Sequence, residues 1–184
     1  MSIKQKNCFR NQKCQRNQKG LTLIELLVGV TALSAMVFIV LTGFQRFQMR
    51  YNVQEHVQDI MEMVIGIDQS FMGVEGSYAN VTNPLVVGAF IPPPHMIRGG
   101  AVYNPWGGQV MFAPTTVNNP NDAFVILSTQ LPEISCIRLA ERLTPIFKGR
   151  TSINGTAIPA AATAAAISTA CQVGGNNVIQ ITYM

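Results

Sequence analysis

Four cysteines, two histidines and one carboxylate in apolar surroundings are the residues whose type and position invite chemistry in this 184-residue chain. The histidines, His56 and His95, stand far apart with no cysteine or carboxylate at metal-ligand spacing, so neither a metal nor a cofactor is expected. Both are expected on the surface, His56 on an amphipathic helical pattern and His95 after Pro92-Pro93-Pro94. The chain has no G-x-S-x-G, H-E-x-x-H, P-loop or G-x-G-x-x-G pattern, so no catalytic residue is assigned and an enzyme is not expected. What remains is Glu25, followed by 19 uncharged residues, and the cysteines Cys8, Cys14, Cys136 and Cys171. A carboxylate in such a stretch costs a few kcal/mol unless a cation pairs with it, so Glu25 marks function rather than packing.

Charge and hydropathy define the elements around these residues. Only 12% of the chain is charged, against roughly a quarter in ordinary globular proteins, which points to membrane contact or burial between subunits. Lys4, Lys6, Arg10, Lys13, Arg16 and Lys19 stand together without an acid, leaving seven basic and all nine acidic residues for the remainder. From Leu26 to Phe44 there is no charge, about 28 Å of helix and close to the apolar thickness of a bilayer. A nucleic-acid-binding arm would not be joined directly to such a span, so no direct nucleic-acid partner is expected. The positive-inside rule keeps the basic arm in the cytoplasm and exports the body after residue 45. An ordinary signal peptide cleaved near Ala32-Leu33-Ser34 is the competing reading; the apolar run continues well past those residues and Glu25 sits in its first turn.

Lys19-Gly20-Leu21-Thr22-Leu23-Ile24-Glu25 before a long apolar run resembles the class III leader and N-terminus of type IV pilins and the related pseudopilins. The long leader, and Leu21 where Phe is usual, resemble the type IVb branch. The resemblance implies that a prepilin peptidase, recognising Lys19-Gly20-Leu21, cuts between Gly20 and Leu21 and methylates Leu21. It implies assembly roles for Thr22 and Glu25. The protonated α-amino group of Leu21 is then a cationic partner for Glu25. Four residues on one helix span about 6 Å, so the pair could close within one chain or set the stagger between neighbours; the family implies the second, while the residues leave both open.

The expected fold is α+β: a long N-terminal helix packed on a C-terminal antiparallel sheet. The helix is expected from about Thr22 to Gly73, with no proline before Pro84 and with Gly73 and Gly76 as stops. Val53, Val57, Ile60, Val64, Ile67 and Phe71 form its apolar stripe, for which a short coiled-coil dimer is the competing explanation. Residues 74–105 read as irregular. Gln109–Phe112, Ala123–Leu127 and Val178–Tyr183 read as strands, the second buried on both faces and the third on one. Glu133–Arg142 reads as a short helix, Thr144–Ile158 as mixed and Ala160–Ala170 as helical. Trp106, in Asn104-Pro105-Trp106-Gly107-Gly108, reads as a half-buried turn aromatic, and this order of elements also resembles the type IVb head. The divisions are a removable leader over 1–20, a membrane and filament-core helix over 21–45, an amphipathic helix over 46–75 and a head over 76–184.

This topology leaves Cys8 and Cys14 in the reducing cytoplasm, to be discarded with the leader. Cys136 and Cys171, on the oxidising side, are expected to form a disulfide, the alternative being two buried thiols. The resemblance implies a precursor in the inner membrane and a mature subunit in an extracellular filament, most simply its major subunit. Its implied partners are further copies of the chain in a helical filament, the prepilin peptidase, the inner-membrane assembly machinery and the surface of a host or recipient cell. A minor pilin or secretion pseudopilin shares the same N-terminus, and a single-span membrane-anchored enzyme or binding protein is the reading from another class.

Overall fold

No proline interrupts residues 21–82, and a single α-helix, α1, spans Leu23–Ile67 in a computed structural model that describes residues 22–72 and 77–184. Contacts divide the chain into two units on either side of Phe44 and Gln45. In the first, Leu23–Leu41 has a mean hydropathy of 2.4 and no part of it is buried. Its hydroxyls bond within the helix itself: Thr31 Oγ1 donates to the Val28 carbonyl at 2.9 Å and Ser34 Oγ to that of Val30 at 2.8 Å. A helix in hydrocarbon needs this, because lipid offers polar groups no other partner.

The second unit is built on a seven-stranded antiparallel sheet. Its strands are β1 (Ile97–Arg98), β2 (Ala101–Tyr103), β3 (Gln109–Thr115), β4 (Ala123–Leu131), β5 (Thr151–Ile153), β6 (Thr156–Ile158) and β7 (Asn177–Tyr183), ordered β1-β2-β3-β4-β7-β5-β6. The alternation in β7 does what its period of two requires: Ile179 and Ile181 are buried opposite Ser128 and Ile126, while Gln180 and Thr182 are half-buried. The C-terminal part of α1 contributes Val53, Ile60, Met63, Val64 and Ile67 to the core. Helix α3 (Glu133–Ile146), the third in chain order, contributes Cys136, Leu139, Ala140 and Leu143 from one face. Fully burying one such aliphatic side chain stabilises by about 1.5–3 kcal/mol.

The sequence reading departs from this structure in several places. Residues 74–105 are not irregular throughout: α2 (Asn83–Gly88), a 3-10 turn (Pro94–Met96), β1 and β2 lie within them. Pro84 occupies the first turn of α2, where its missing N–H is harmless, so the proline that looked like a breaker starts a helix. Helix α1 gives way at Asp68 to a wider π turn, Asp68–Met72; Gly73 and Gly76 lie outside the described residues. The region read as mixed holds the end of α3, which runs through Pro145, and the β5–β6 hairpin. The alanine-rich helix α4 is shorter than expected, Ala164–Ala170, because Thr163 caps it: Oγ1 accepts from the Ala166 N–H at 3.3 Å.

Candidate functional site

Lys19, Gly20 and Leu21, with Cys8 and Cys14, lie outside the described residues. The helix begins immediately after them. The Thr22 carbonyl accepts from the N–H groups of Glu25 and Leu26 at 3.0 and 3.1 Å, and Thr22 Oγ1 sits 3.4 Å from the Glu25 nitrogen. Thr22 is thus an N-cap, with Glu25 in the first turn and its side chain exposed. A carboxylate there gains about 0.3–1 kcal/mol from the helix dipole, less than its transfer into lipid costs, so a cationic partner is still needed. Around it Leu23, Ile24, Leu26 and Leu27 are all exposed, a surface suited to lipid or to neighbouring helices.

In the head, a buried polar network replaces the surface position expected of His56. The ring is 0% exposed, with Nε2 3.0 Å from Ser128 Oγ and Trp106 edge-on at 5.6 Å between centroids. Asn104 holds the other side: Nδ2 donates to Ser128 Oγ and the Thr129 carbonyl at 3.1 and 2.7 Å, and Oδ1 accepts from the N–H groups of Trp106 and Gly108. All four bonding positions of this amide are filled. The Asn-Pro-Trp-Gly-Gly turn thus sets Trp106 against His56 of α1. Gly108 is required by space, since a Cβ there would lie 1.9 Å from the Thr129 oxygen.

Burial, with a smaller contribution from the charge of His95, lowers the His56 pKa from 6.5 to about 3. The geometry agrees: Nδ1 is buried with no partner among the described residues, so an imidazolium would leave an N–H unsatisfied. A lowered histidine pKa means that the unfolded chain binds the extra proton between the two values. The His56 contribution is complete above about pH 6.5 and is lost as pH falls towards 3. Head stability in detergent-solubilised protein should fall by about 2 kcal/mol from pH 7 to pH 5. His56→Gln should flatten that slope in denaturant titrations; an unchanged slope would assign the proton elsewhere.

His95 is at the surface, as expected, but not isolated. Its Nε2 lies 3.3 Å from Asp59 Oδ2 and 4.0 Å from Glu55 Oε1. Burial raises the Asp59 pKa and the His95 charge opposes that shift. Among the described residues no cluster suited to a metal ion occurs.

Cys136 on α3 and Cys171 after α4 are joined by a disulfide with Cα atoms 6.0 Å apart. Asn177 secures the same corner: Oδ1 accepts from the N–H of Gln172 and from Asn154 Nδ2, and Nδ2 donates to the carbonyls of Leu131 and Gln172. Asn104 and Asn177 grip β4 on either side of the bulge between Ser128 and Leu131, where Gln130 adopts φ +55°. A fully bonded asparagine beside an unpaired ladder position is the pattern to look for; only the turn residues around Asn104 hinted at it.

An apolar helix continuing into a disulfide-bonded antiparallel head, with a carboxylate near its start, defines a pilin-type subunit. The model described as "Prokaryotic N-terminal methylation motif" matches residues 15–41, and that described as "PilS N terminal" matches residues 50–184. The chain belongs to the PilS N terminal family. Solved structures agree on the fold. The crystal structure of a type IVb pilin from Salmonella typhi aligns with a TM-score of 0.54 at 20% identity over 67% of this chain and 94% of that one. The type IV pilin TcpA from Vibrio cholerae El Tor biotype aligns with a TM-score of 0.55 at 14% identity over 73% and 99%. No curated protein matches. Family and fold are those of structural subunits that assemble into pili. The methylation motif ahead of an apolar helix fits an inner-membrane precursor that passes into an extracellular pilus.

Proposed function

We propose that the chain is the prepilin of the major subunit of a type IVb pilus, a filament serving adhesion, aggregation or mating contact. Prepilin peptidase cuts between Gly20 and Leu21 and methylates Leu21; Thr22 caps the new helix and Glu25 pairs with a neighbour's N-terminal amine. The divisions are a leader over 1–20, a core helix over 21–45, an amphipathic helix over 46–75 and a head over 76–184. The observation that carries the reading is the wholly exposed apolar helix Leu23–Leu41 behind the Thr22 cap, a surface that only lipid or like helices can cover.

Mass spectrometry of protein sheared from the cell surface tests it. The expected chain starts at methylated Leu21, in filaments that an antibody to residues 76–184 labels along their length. A Met1 start in surface filaments would overturn the cleavage, and label confined to filament tips would overturn the major role.

A further inference from the structure

Two grooves of opposite charge flank the head portion of α1. The first, of about 390 Å³, is lined by Arg50 and Gln54 of α1 and by Arg138, Glu141 and Arg142 of α3. The three arginines are exposed, and among the described residues none has an ion-pair partner. The second, of about 330 Å³, is lined by Glu55, Asp59 and Glu62 of α1, with His95 above them. At 3.6 residues per turn, these acids stand roughly 120–180° round the helix from Arg50. The core-facing residues Val53, His56 and Ile60 lie on the helix surface between the two flanks.

We infer that the arginine groove of one head receives the acidic α1 flank of a second copy of the chain. Three guanidinium groups beside the single carboxylate of Glu141 leave the groove net positive, and their planar donors suit further carboxylates. The carboxylates needed are on the same chain but on the opposite side of the same helix, so no chain satisfies its own groove. A two-fold contact that satisfied both grooves would need both flanks in one interface, and they face different sides of the helix. Contact between different flanks is heterologous, and if its rotation does not close it propagates as an open helical array. Arg50 and Asp59 are nine residues apart, so joining these levels displaces the neighbour by about 13 Å along α1.

The inference rests on the filament reading above, and charge exchange separates the two. R138E/R142E and E55K/E62K should each lose sheared filaments about tenfold or more, since juxtaposed like charges are strongly disfavoured. The quadruple variant, with both flanks reversed, should recover them. Each variant should keep the Leu21 start and show no reactive thiols, which verifies processing and head folding. Normal filaments from either single-flank variant, or no recovery in the quadruple, would overturn the inference while the filament reading stands. Absence of filaments from the unaltered chain in its own host would overturn both.

Discussion

Glu25→Ala should leave the precursor inserted and cleaved at Gly20 while abolishing surface filaments. Insertion is unharmed because the change removes a charge from the apolar segment, and charged residues there oppose insertion by about 2.5–3.5 kcal/mol at mid-span. Cleavage is unharmed because the cut lies five residues upstream and the Thr22 cap uses the Glu25 backbone rather than its carboxylate. On the proposed pairing, assembly suffers because the N-terminal amine of Leu21 would enter an apolar bundle without its counter-charge; breaking one half of a buried pair costs about 3–5 kcal/mol. That exceeds the ~0.3–1 kcal/mol that the helix dipole gives the carboxylate, so the loss follows from the pair and not from the helix end. Glu25→Asp, which keeps the charge on a shorter stem, should recover part of the yield. Immunoblots of membrane and sheared fractions measure both steps, and normal filament number and length in the alanine variant would rule the pairing out.

Cys136→Ser should destabilise the head by about 4 kcal/mol, the chain-entropy value for the loop that the disulfide closes. The bonded residues are 35 apart in sequence, and their loop contains the β5–β6 hairpin and α4, small elements that bury little core of their own. Both cysteines are buried, so the variant also leaves a hydroxyl and a thiol in apolar surroundings. For a unit of this size the melting temperature should drop by roughly 10 °C, with leader cleavage unaffected and filament yield reduced. Two reactive thiols per chain in denatured, unreduced mature protein would show that the bridge is not formed in the cell.

The features legible in the sequence were those that composition and period report directly. The apolar span, the amphipathic helix behind it, the buried run Ala123–Leu127 and the alternating Val178–Tyr183 all recur in the fold, because each is set by burial on a fixed period. His56 was misplaced for an instructive reason. The buried stripe of α1 is Val53, His56, Ile60, Met63 and Ile67, at spacings of 3, 4, 3 and 4. A search for apolar letters instead selected Val57 and Phe71, which are only half-buried. The apolar spacing steps from Val53 to Val57 and so skips position 56; a histidine is buried there because distant residues, Ser128 and Trp106, complete its surroundings. The short strands β1, β2, β5 and β6 have no period long enough to read, and pairing across the sheet stabilises them. The asparagine clamps were invisible because their value lies in partners that only the fold supplies.

The place of the disulfide inside the β4–β7 ladder has a kinetic consequence. Leu131 of β4 pairs with Asn177 of β7, so in a reduced chain the two central strands meet only by closing a loop of about 45 residues. Once Cys136 and Cys171 are joined, the shortest covalent path between those positions shrinks to about a dozen residues. The search for β-pairing, normally the slow part of building a sheet with distant partners, becomes nearly local. Oxidation ahead of sheet formation therefore speeds folding of the head and shortens the time during which β4 and β7 present open edges in a crowded periplasm.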